Sequence, residues 1–408
     1  MSEPDAEIVI VGAGPAGASL ALALSQAGFE TALIDARAAG QPAREDTRNF
    51  AIVTGSWRLL AAIGITDRLD GLTEPLHGLE AEDGGSHWFG APSIFFTDDD
   101  LIDREESETL GQMVEARHLQ KALDEAAADQ DRLTLIRPDL FEGFEARPGG
   151  VDVKLAGGKT LSARLLIGAD GMKSSVRHAA GIETEGRDYG KSVFAANVTL
   201  SRPHHGVARQ LFTPEGPFAT LPLQGDRANL AWYMKRGAAE ALAKQPAEAV
   251  EAELNHSFAD FAGEMKIDGP MGSYPLILQI AERMVDERVA LLGDAVRRIN
   301  PLAGQGLNQG FRDVAALYDA IIEGDRAGLD IGSDQVLDAY QTSRRFGATT
   351  TALAMDAIDR LFSNDLSLTK PVRTLGMLIA DKAKPVRRTL AGLASASSDE
   401  LPSLMRRV

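Results

Sequence analysis

The chain has no cysteine among its 408 residues. That removes disulfides, iron–sulfur clusters, thiolate zinc sites and cysteine nucleophiles together, and it fits a reducing cytoplasm. Basic residues are scarce relative to acids: 42 Lys and Arg against 59 Asp and Glu give a net charge of −17. A field of that sign opposes non-specific binding to nucleic acid, so no nucleic-acid partner is expected. Long apolar runs are missing as well. The stretch between Glu7 and Glu30 carries no charge, but it holds four glycines and a proline and follows the acids Glu3, Asp5 and Glu7. A signal peptide starts positive and a spanning helix needs about 20 mostly apolar residues, so neither is read here. No solenoid repeat is present. No histidines are spaced as metal ligands; His204 and His205 are adjacent and would point to opposite faces of a strand, and no metal is expected.

What is present begins with a motif. Ile8 to Val11 reads as a buried parallel strand, and Gly12, Gly14 and Gly17 follow in G-x-G-x-x-G spacing. Pro15 to Ala27 reads as a helix, and Thr31 to Ile34 as a second strand ending at Asp35. Gly12 permits the tight turn, Gly14 lets a pyrophosphate approach the backbone, and Gly17 lets the helix pack close to the sheet. The helix N-terminus, with Pro15 and Ala16 in its first turn, favours the diphosphate. Asp35, beside Ala36, lies where a carboxylate accepts hydrogen bonds from an adenosine ribose.

Two further turns carry chemistry. Leu165 to Arg177 is a strand, an Asp170-Gly171 turn and a Ser-rich helix start; with Ser174 or Ser175 as an N-cap it also fits an ordinary strand–turn–helix. Val289 to Asn308 is a buried strand, Gly293-Asp294, then Pro301 and Gly304-Gln305-Gly306 before a helix. Asp294 is placed to accept a hydrogen bond from a ribityl hydroxyl. The glycines admit a flat ring, and the helix start would stabilise negative charge on a reduced flavin.

The pattern between these motifs changes. Phe50 to Leu69 and Val114 to Ala128 read as helices, and Leu76 to Ile102 as broken strands. Val151 to Leu155 and Thr160 to Ile167 read as a hairpin. Val193 to Leu200, Arg209 to Phe212, Phe218 to Leu223 and Asn229 to Met234 read as antiparallel strands, interrupted by a helix near Gln245 to Phe261. The fold class expected is α/β: a discontinuous Rossmann-like FAD-binding domain (1–75, 103–185 and 282–360) with an inserted antiparallel β-sheet substrate domain (76–102 and 186–281) and a C-terminal helical, basic tail (361–408).

In their order and spacing these motifs resemble the group A flavoprotein monooxygenases, the para-hydroxybenzoate hydroxylase-like fold. The chain is most similar to the hydroxylases of ubiquinone biosynthesis through Asp46-Thr47-Arg48 with Ser56, the segment Gly111 to Gln120, the segment Pro301 to Asp313, and Ala354 to Asn364 with Val372 to Met377. The resemblance implies FAD as cofactor, reduced by NAD(P)H or another electron donor, with oxygen added at the flavin C4a position and an OH passed to an aromatic quinone precursor. It implies that Asp35 binds the adenosine ribose, that Arg48 and Arg117 lie along the FAD, and that Asp170 and Gly171 serve FAD or NAD(P)H. Gly293 and Asp294 would hold the ribityl chain. Pro301, Gly304, Gln305 and Gly306 would form the catalytic turn beside the ring, with Leu307 and Asn308 completing the cofactor contacts. Phe212, Phe218, Leu221 and Pro222 would form the substrate wall.

One departure matters. Arg297 and Asn300 stand where the family usually has histidines, and an arginine is no base near neutral pH. Arg297 could pair with an FAD phosphate or an acidic neighbour, or lie on the surface. Alternative readings are a hydroxylase of another phenolic or isoprenoid substrate, or a catalytically impaired flavin-binding scaffold of a quinone-biosynthesis complex. From Leu366 to Val408 eight Lys/Arg face three Asp/Glu. This tail is a candidate for contact with an anionic membrane surface or with a ubiquinone-biosynthesis complex, which would place a cytoplasmic protein at the periphery of the inner membrane.

Overall fold

The computed structural model describes residues 4–38, 41, 48–84, 93–101, 108–299, 305–344 and 401–407. Strand Ile8–Val11 is fully buried and central to a six-stranded sheet. It pairs in parallel with Thr31–Ile34 on one side and with Leu165–Gly168 on the other. Leu133–Ile136 and Val289–Leu291 extend the parallel sheet, and Val285–Asp286 closes one edge antiparallel. Strands buried on both faces need continuous apolar runs, which Ile-Val-Ile-Val and Leu-Leu-Ile-Gly supply. Helices Pro15–Gln26 and Gln305–Arg326 pack against each other beside this sheet.

The second layer is an eight-stranded sheet. Its centre is built from the long strands Thr184–Leu200 and Met265–Ala281, with Arg227–Lys235, Gly216–Pro222 and Val207–Thr213 following in order. Gly78–Asp83 and Ser93–Thr97 complete one edge, and Arg297–Arg298 adds to the other. Helix Ala247–Ala262 covers one face. Alternation sorts the residues: Phe194, Ala196, Leu230 and Trp232 enter the core under this helix, whereas Val193, Ala195, Ala231 and Tyr233 take the opposite face.

A three-stranded sheet, Asn49–Val53, Gly111–Glu115 and Thr73–Leu76, joins the two layers. It corrects two expectations. Phe50 to Val53 is strand, with the helix starting at Thr54, and the helix expected from Val114 begins at Ala116. The four antiparallel strands are present as expected, but the expected hairpin strand Thr160 to Ile167 divides: Thr160–Ala163 pairs with Gly150–Leu155, and Leu165–Gly168 joins the parallel sheet.

The expected tail lies outside the described residues up to 400. Residues 401–407 return to the fold: Leu401 and Met405 are buried in the main core, and Ser403 N–H donates to Asp319 Oδ2 at 2.8 Å. No helix among the described residues is long and apolar enough to cross a membrane.

Candidate active site

The three motif turns meet at one end of the parallel sheet. A Cβ on Gly12 (φ +104°) would lie 2.5 Å from the Ala169 carbonyl oxygen and 2.9 Å from the Asp170 Cα. The first turn therefore crosses directly over the second. A Cβ on Gly17 would lie 2.0 Å from the Gly12 carbonyl oxygen, so helix Pro15–Gln26 approaches its own turn as closely as a glycine allows. Cβ positions built on Gly293 and Gly310 each fall 3.6 Å from the Ala16 Cβ, which brings the third motif and its helix against the first.

Gly14 differs from its neighbours. Its backbone is extended (φ −67°, ψ 175°), and a Cβ there would meet no protein atom within 4 Å. The protein's own packing does not require glycine at this position; a ligand lying on the helix N-terminus does. Gly171 (φ +80°) and Gly306 also open onto free space. This is a cradle that a pyrophosphate and a flat ring fit.

Asp35 Oδ2 accepts from Ala13 N–H at 2.8 Å, while Oδ1 accepts from Arg37 N–H at 2.7 Å and Nε–H at 3.0 Å. The carboxylate thus fixes the glycine turn, with one lone pair on Oδ2 left over by these three bonds; Ala36 is exposed beside it. Gln120, which the sequence reading missed, is buried and donates from Nε2 to Ala13 O at 2.9 Å. Arg117 starts the same helix but is largely exposed and pairs with Glu115 at 2.8 Å.

Asp170 turns back on its own chain. Its Oδ1 accepts from Ser174 Oγ–H, and its Oδ2 from Ser175 N–H at 2.6 Å. Ser174 is the N-cap, accepting from Arg177 N–H at 2.9 Å. The N-cap alternative therefore holds, and what this turn offers a ligand is the backbone around Gly171. Arg177 then staples two motifs, donating to Ala295 O and to Met172 O, both at 2.8 Å.

Asp294 is exposed to solvent on one side, yet protein crowds its carboxyl on the others. Desolvation pushes its carboxyl above the usual carboxylate range, against the pull of Arg298 and Arg48. Arg48 lies 5.7 Å from the Phe50 ring centre. Arg298 donates from Nη2 to Pro275 O at 3.1 Å within the eight-stranded sheet.

Arg297 is not a surface residue. Its Nη1 donates to Asp313 Oδ1 at 2.8 Å and Oδ2 at 2.9 Å, and Arg344 Nε donates to the same Oδ1 at 2.7 Å. Asp313 is fully buried and its Oδ2 also accepts from Gly293 N–H at 3.1 Å. Of the alternatives for Arg297, the acidic neighbour is the one present.

Pro301, Gly304 and Asn300 lie outside the described residues, as does the Gln305 side chain. Gly306 and half-buried Leu307 stand in the first turn of helix Gln305–Arg326, where N–H groups lack intrahelical partners. Asn308 follows in the same turn. It is buried, donating from Nδ2 to Ala51 O at 2.8 Å and accepting at Oδ1 from Val53 N–H at 3.1 Å. Its side chain clamps the strand Asn49–Val53 to the start of helix Gln305–Arg326.

The expected substrate wall needs correction. Phe218 is fully buried under helix Ala247–Ala262, stacked on Phe258 at 3.8 Å between ring centres. Pro222 pairs with Ala228 and shares that face. Leu221 points the other way, packing with Leu223 against Ala51 and Met113. Phe212 lies at the outer edge with Ala81 and Ile94. Residues two apart share a face and neighbours do not, so these four cannot form one wall. The face turned towards the three-stranded sheet instead carries Val193, Ala195, Tyr233 and Leu276, with Tyr189, Ala231 and Tyr274 packed on them. His204 is held by the carbonyls of Leu223 and Gly225, at 2.9 and 2.7 Å.

Comparison with known proteins agrees with this geometry. The FAD binding domain family matches residues 5–354. The chain belongs to this family. Within it, the ubiquinone hydroxylase UbiL of Rhodospirillum rubrum is 36% identical over 99% of this chain and 93% of its own length. The 3-demethoxyubiquinol 3-hydroxylase of Escherichia coli is 33% identical over 95% of this chain and 98% of its own length. The p-nitrophenol 4-monooxygenase PnpA of Pseudomonas putida has the same fold, with a TM-score of 0.78 over 99% of both chains at 19% identity. The protein is a FAD-dependent monooxygenase with the aromatic-hydroxylase fold, and its flavin is reduced by NAD(P)H or another donor.

Proposed function

We propose that this monooxygenase hydroxylates the aromatic ring of a polyprenyl-phenol precursor of ubiquinone. Support comes from the near end-to-end similarity to two hydroxylases named for that pathway. The observation that carries the cofactor site is the open cradle at Gly14 where the three turns meet. FAD, when bound, supplies the redox chemistry that activates oxygen. The chain supplies placement. Gly12, Gly14, Pro15, Ala16 and Gly17 receive the diphosphate, Asp35 the ribose, and Gly293-Asp294 the ribityl chain. The helix start at Gly306, Leu307 and Asn308 favours negative charge in front of it. Pro301, Gly304 and Gln305 belong to the segment we assign to the ring. Residues 1–75, 103–185 and 282–360 are assigned to the cofactor, and 76–102 and 186–281 to the substrate.

The buried pairing of Arg297 with Asp313 gives that position a structural role, so the absent histidine does not by itself favour an inactive scaffold. FAD-loaded protein, a reductant and a prenylated phenol should consume oxygen and yield a product heavier by one oxygen atom. Flavin-loaded protein that does neither refutes the proposal. A strain lacking this chain should accumulate a quinone precursor, identified by mass, that the chain clears on return.

The basic, apolar tail is proposed to rest on an anionic membrane, which gives access to a prenylated substrate. Reversing Lys370, Arg373, Lys382 and Lys384 to glutamate should reduce the affinity for anionic liposomes by about a thousandfold or more, at about 1 kcal/mol for each basic charge removed. Equal binding by both proteins removes the idea.

A further inference from the structure

The face of the eight-stranded sheet turned towards the three-stranded sheet is graded along its length. Strands Thr184–Leu200 and Arg227–Lys235 pair antiparallel with Asn197 opposite Asn229, Ala195 opposite Ala231, and Val193 opposite Tyr233. Directly opposed residues share a face. The order is therefore an amide pair, a small-residue pair and an apolar pair. The apolar part is widened by Tyr274 and Leu276. The next pair outward, Lys191 opposite Lys235, places two like charges face to face, and Lys235 is exposed, which marks the outer end.

The amide pair has a defined orientation. Asn229 Nδ2 donates to Ala196 O at 3.3 Å and to Asn197 Oδ1 at 3.1 Å. The Ala196 carbonyl can only accept, so the nitrogen of Asn229 faces it and Oδ1 faces away. Asn197 Oδ1 accepts a second bond from Asn49 Nδ2 at 2.9 Å, which leaves its own Nδ2 directed elsewhere. Among the described residues neither Asn197 Nδ2 nor Asn229 Oδ1 has another partner. The pair thus presents one donor and one acceptor side by side, at the end of a strip whose next pair, Ala195 and Ala231, carries the smallest side chains.

We propose that Asn197 and Asn229 select a hydroxyl group on the substrate ring, with the ring over Ala195 and Ala231 and the prenyl chain leaving past Val193 and Tyr233. A phenolic hydroxyl accepts from Asn197 Nδ2 and donates to Asn229 Oδ1. A quinone carbonyl or a methyl ether cannot donate, and leaves the Asn229 oxygen unpaired. The subsite therefore favours the phenol over its oxidised or methylated forms. The inference rests on the hydroxylase reading above.

The test uses FAD-loaded protein and two probes, a geranyl-substituted phenol and its O-methyl ether, with binding read from perturbation of the flavin absorption. The native protein should prefer the phenol by about tenfold or more. Asn197→Leu and Asn229→Leu should each weaken the phenol alone and bring the preference below about threefold, with the ether nearly unaffected. Asn229→Ser, which keeps a small hydrogen-bonding group, guards against misfolding and should retain part of the preference. FAD affinity should stay at native values in all three, while Tm should fall by a few degrees in the leucine variants, which lose buried amide hydrogen bonds, and less in Asn229→Ser. Variants that keep the native preference, or weaken both probes equally, overturn the assignment while the hydroxylase reading stands. A native protein whose flavin responds to neither probe overturns both.

Discussion

Replacing Asp313 by leucine should lower folding stability by about 3–5 kcal/mol, because it strands two buried cations. Asp313 is wholly buried, and Arg297 and Arg344 are each only 6% exposed. Their guanidinium groups meet its carboxylate at 2.7–2.9 Å. The same carboxylate accepts from Gly293 N–H, so the loss reaches the turn that carries Asp294. Urea denaturation at neutral pH reads the effect. The triple variant Arg297→Met, Asp313→Leu, Arg344→Met should recover most of the stability, since a whole buried ionic cluster can be exchanged for packed apolar groups where half of it cannot. The pH dependence has a definite sign. Burial alone would raise the Asp313 carboxyl, but Arg297 and Arg344 outweigh it and hold it below the usual value. Its contribution is therefore complete above the unfolded value near pH 4 and is lost as pH falls through the lower folded value. The native protein should show this acid limb and the triple variant should lack it. A single Asp313→Leu variant as stable as the native protein would contradict the account.

Alanine at Gly17 and alanine at Gly14 should behave in opposite ways although they stand three residues apart. At Gly17 the new methyl would collide with the Gly12 carbonyl oxygen, and backbone cannot swing aside as a side chain can. The helix must shift, at about 1–3 kcal/mol, and both Tm and FAD binding should fall. At Gly14 the methyl meets no protein atom, and the extended backbone accepts it. Tm without FAD should be unchanged, while FAD affinity drops by about tenfold or more as the methyl intrudes on the diphosphate. Thermal melts of the apo-proteins and FAD titrations separate the cases. Undiminished FAD binding by Gly14→Ala would show that the cradle holds something else.

These residues also show what could be read in advance. The strand–helix–strand unit of residues 8–34 is legible because its glycines answer local demands: a turn, a close helix and a helix start. The turns at Asp170 and Gly293 are legible for similar reasons. What fails in the sequence is non-local. Phe50 to Val53 becomes strand because Gly111–Glu115 pairs with it from a distant part of the chain. The Phe50–Leu69 stretch alone resembles one helix. Asp313, the partner of Arg297, comes from a helix 16 positions away, and Arg344, the second cation on the same carboxylate, from 47 positions away. No spacing motif announces them. Phe218 and Leu221 illustrate a different failure: the family resemblance set them on one wall, but alternation along the strand sends them to opposite faces. Counting parity from Ala195 and Ala231 would have separated them.

The return of the chain at Leu401 to Met405 bears on how the protein is made. These side chains fill the same core as the first strand, and Val289–Leu291 extends the parallel sheet that the first strand begins. At about 5–20 residues per second, roughly 20–80 s separate synthesis of the first strand from that of its last packing partner. During that interval the nascent sheet is incomplete and exposes apolar surface. Chaperone engagement on the ribosome, and a yield that drops when translation is slowed, are the corollaries of a core shared by Ile8–Val11 and the far later-made Leu401 and Met405.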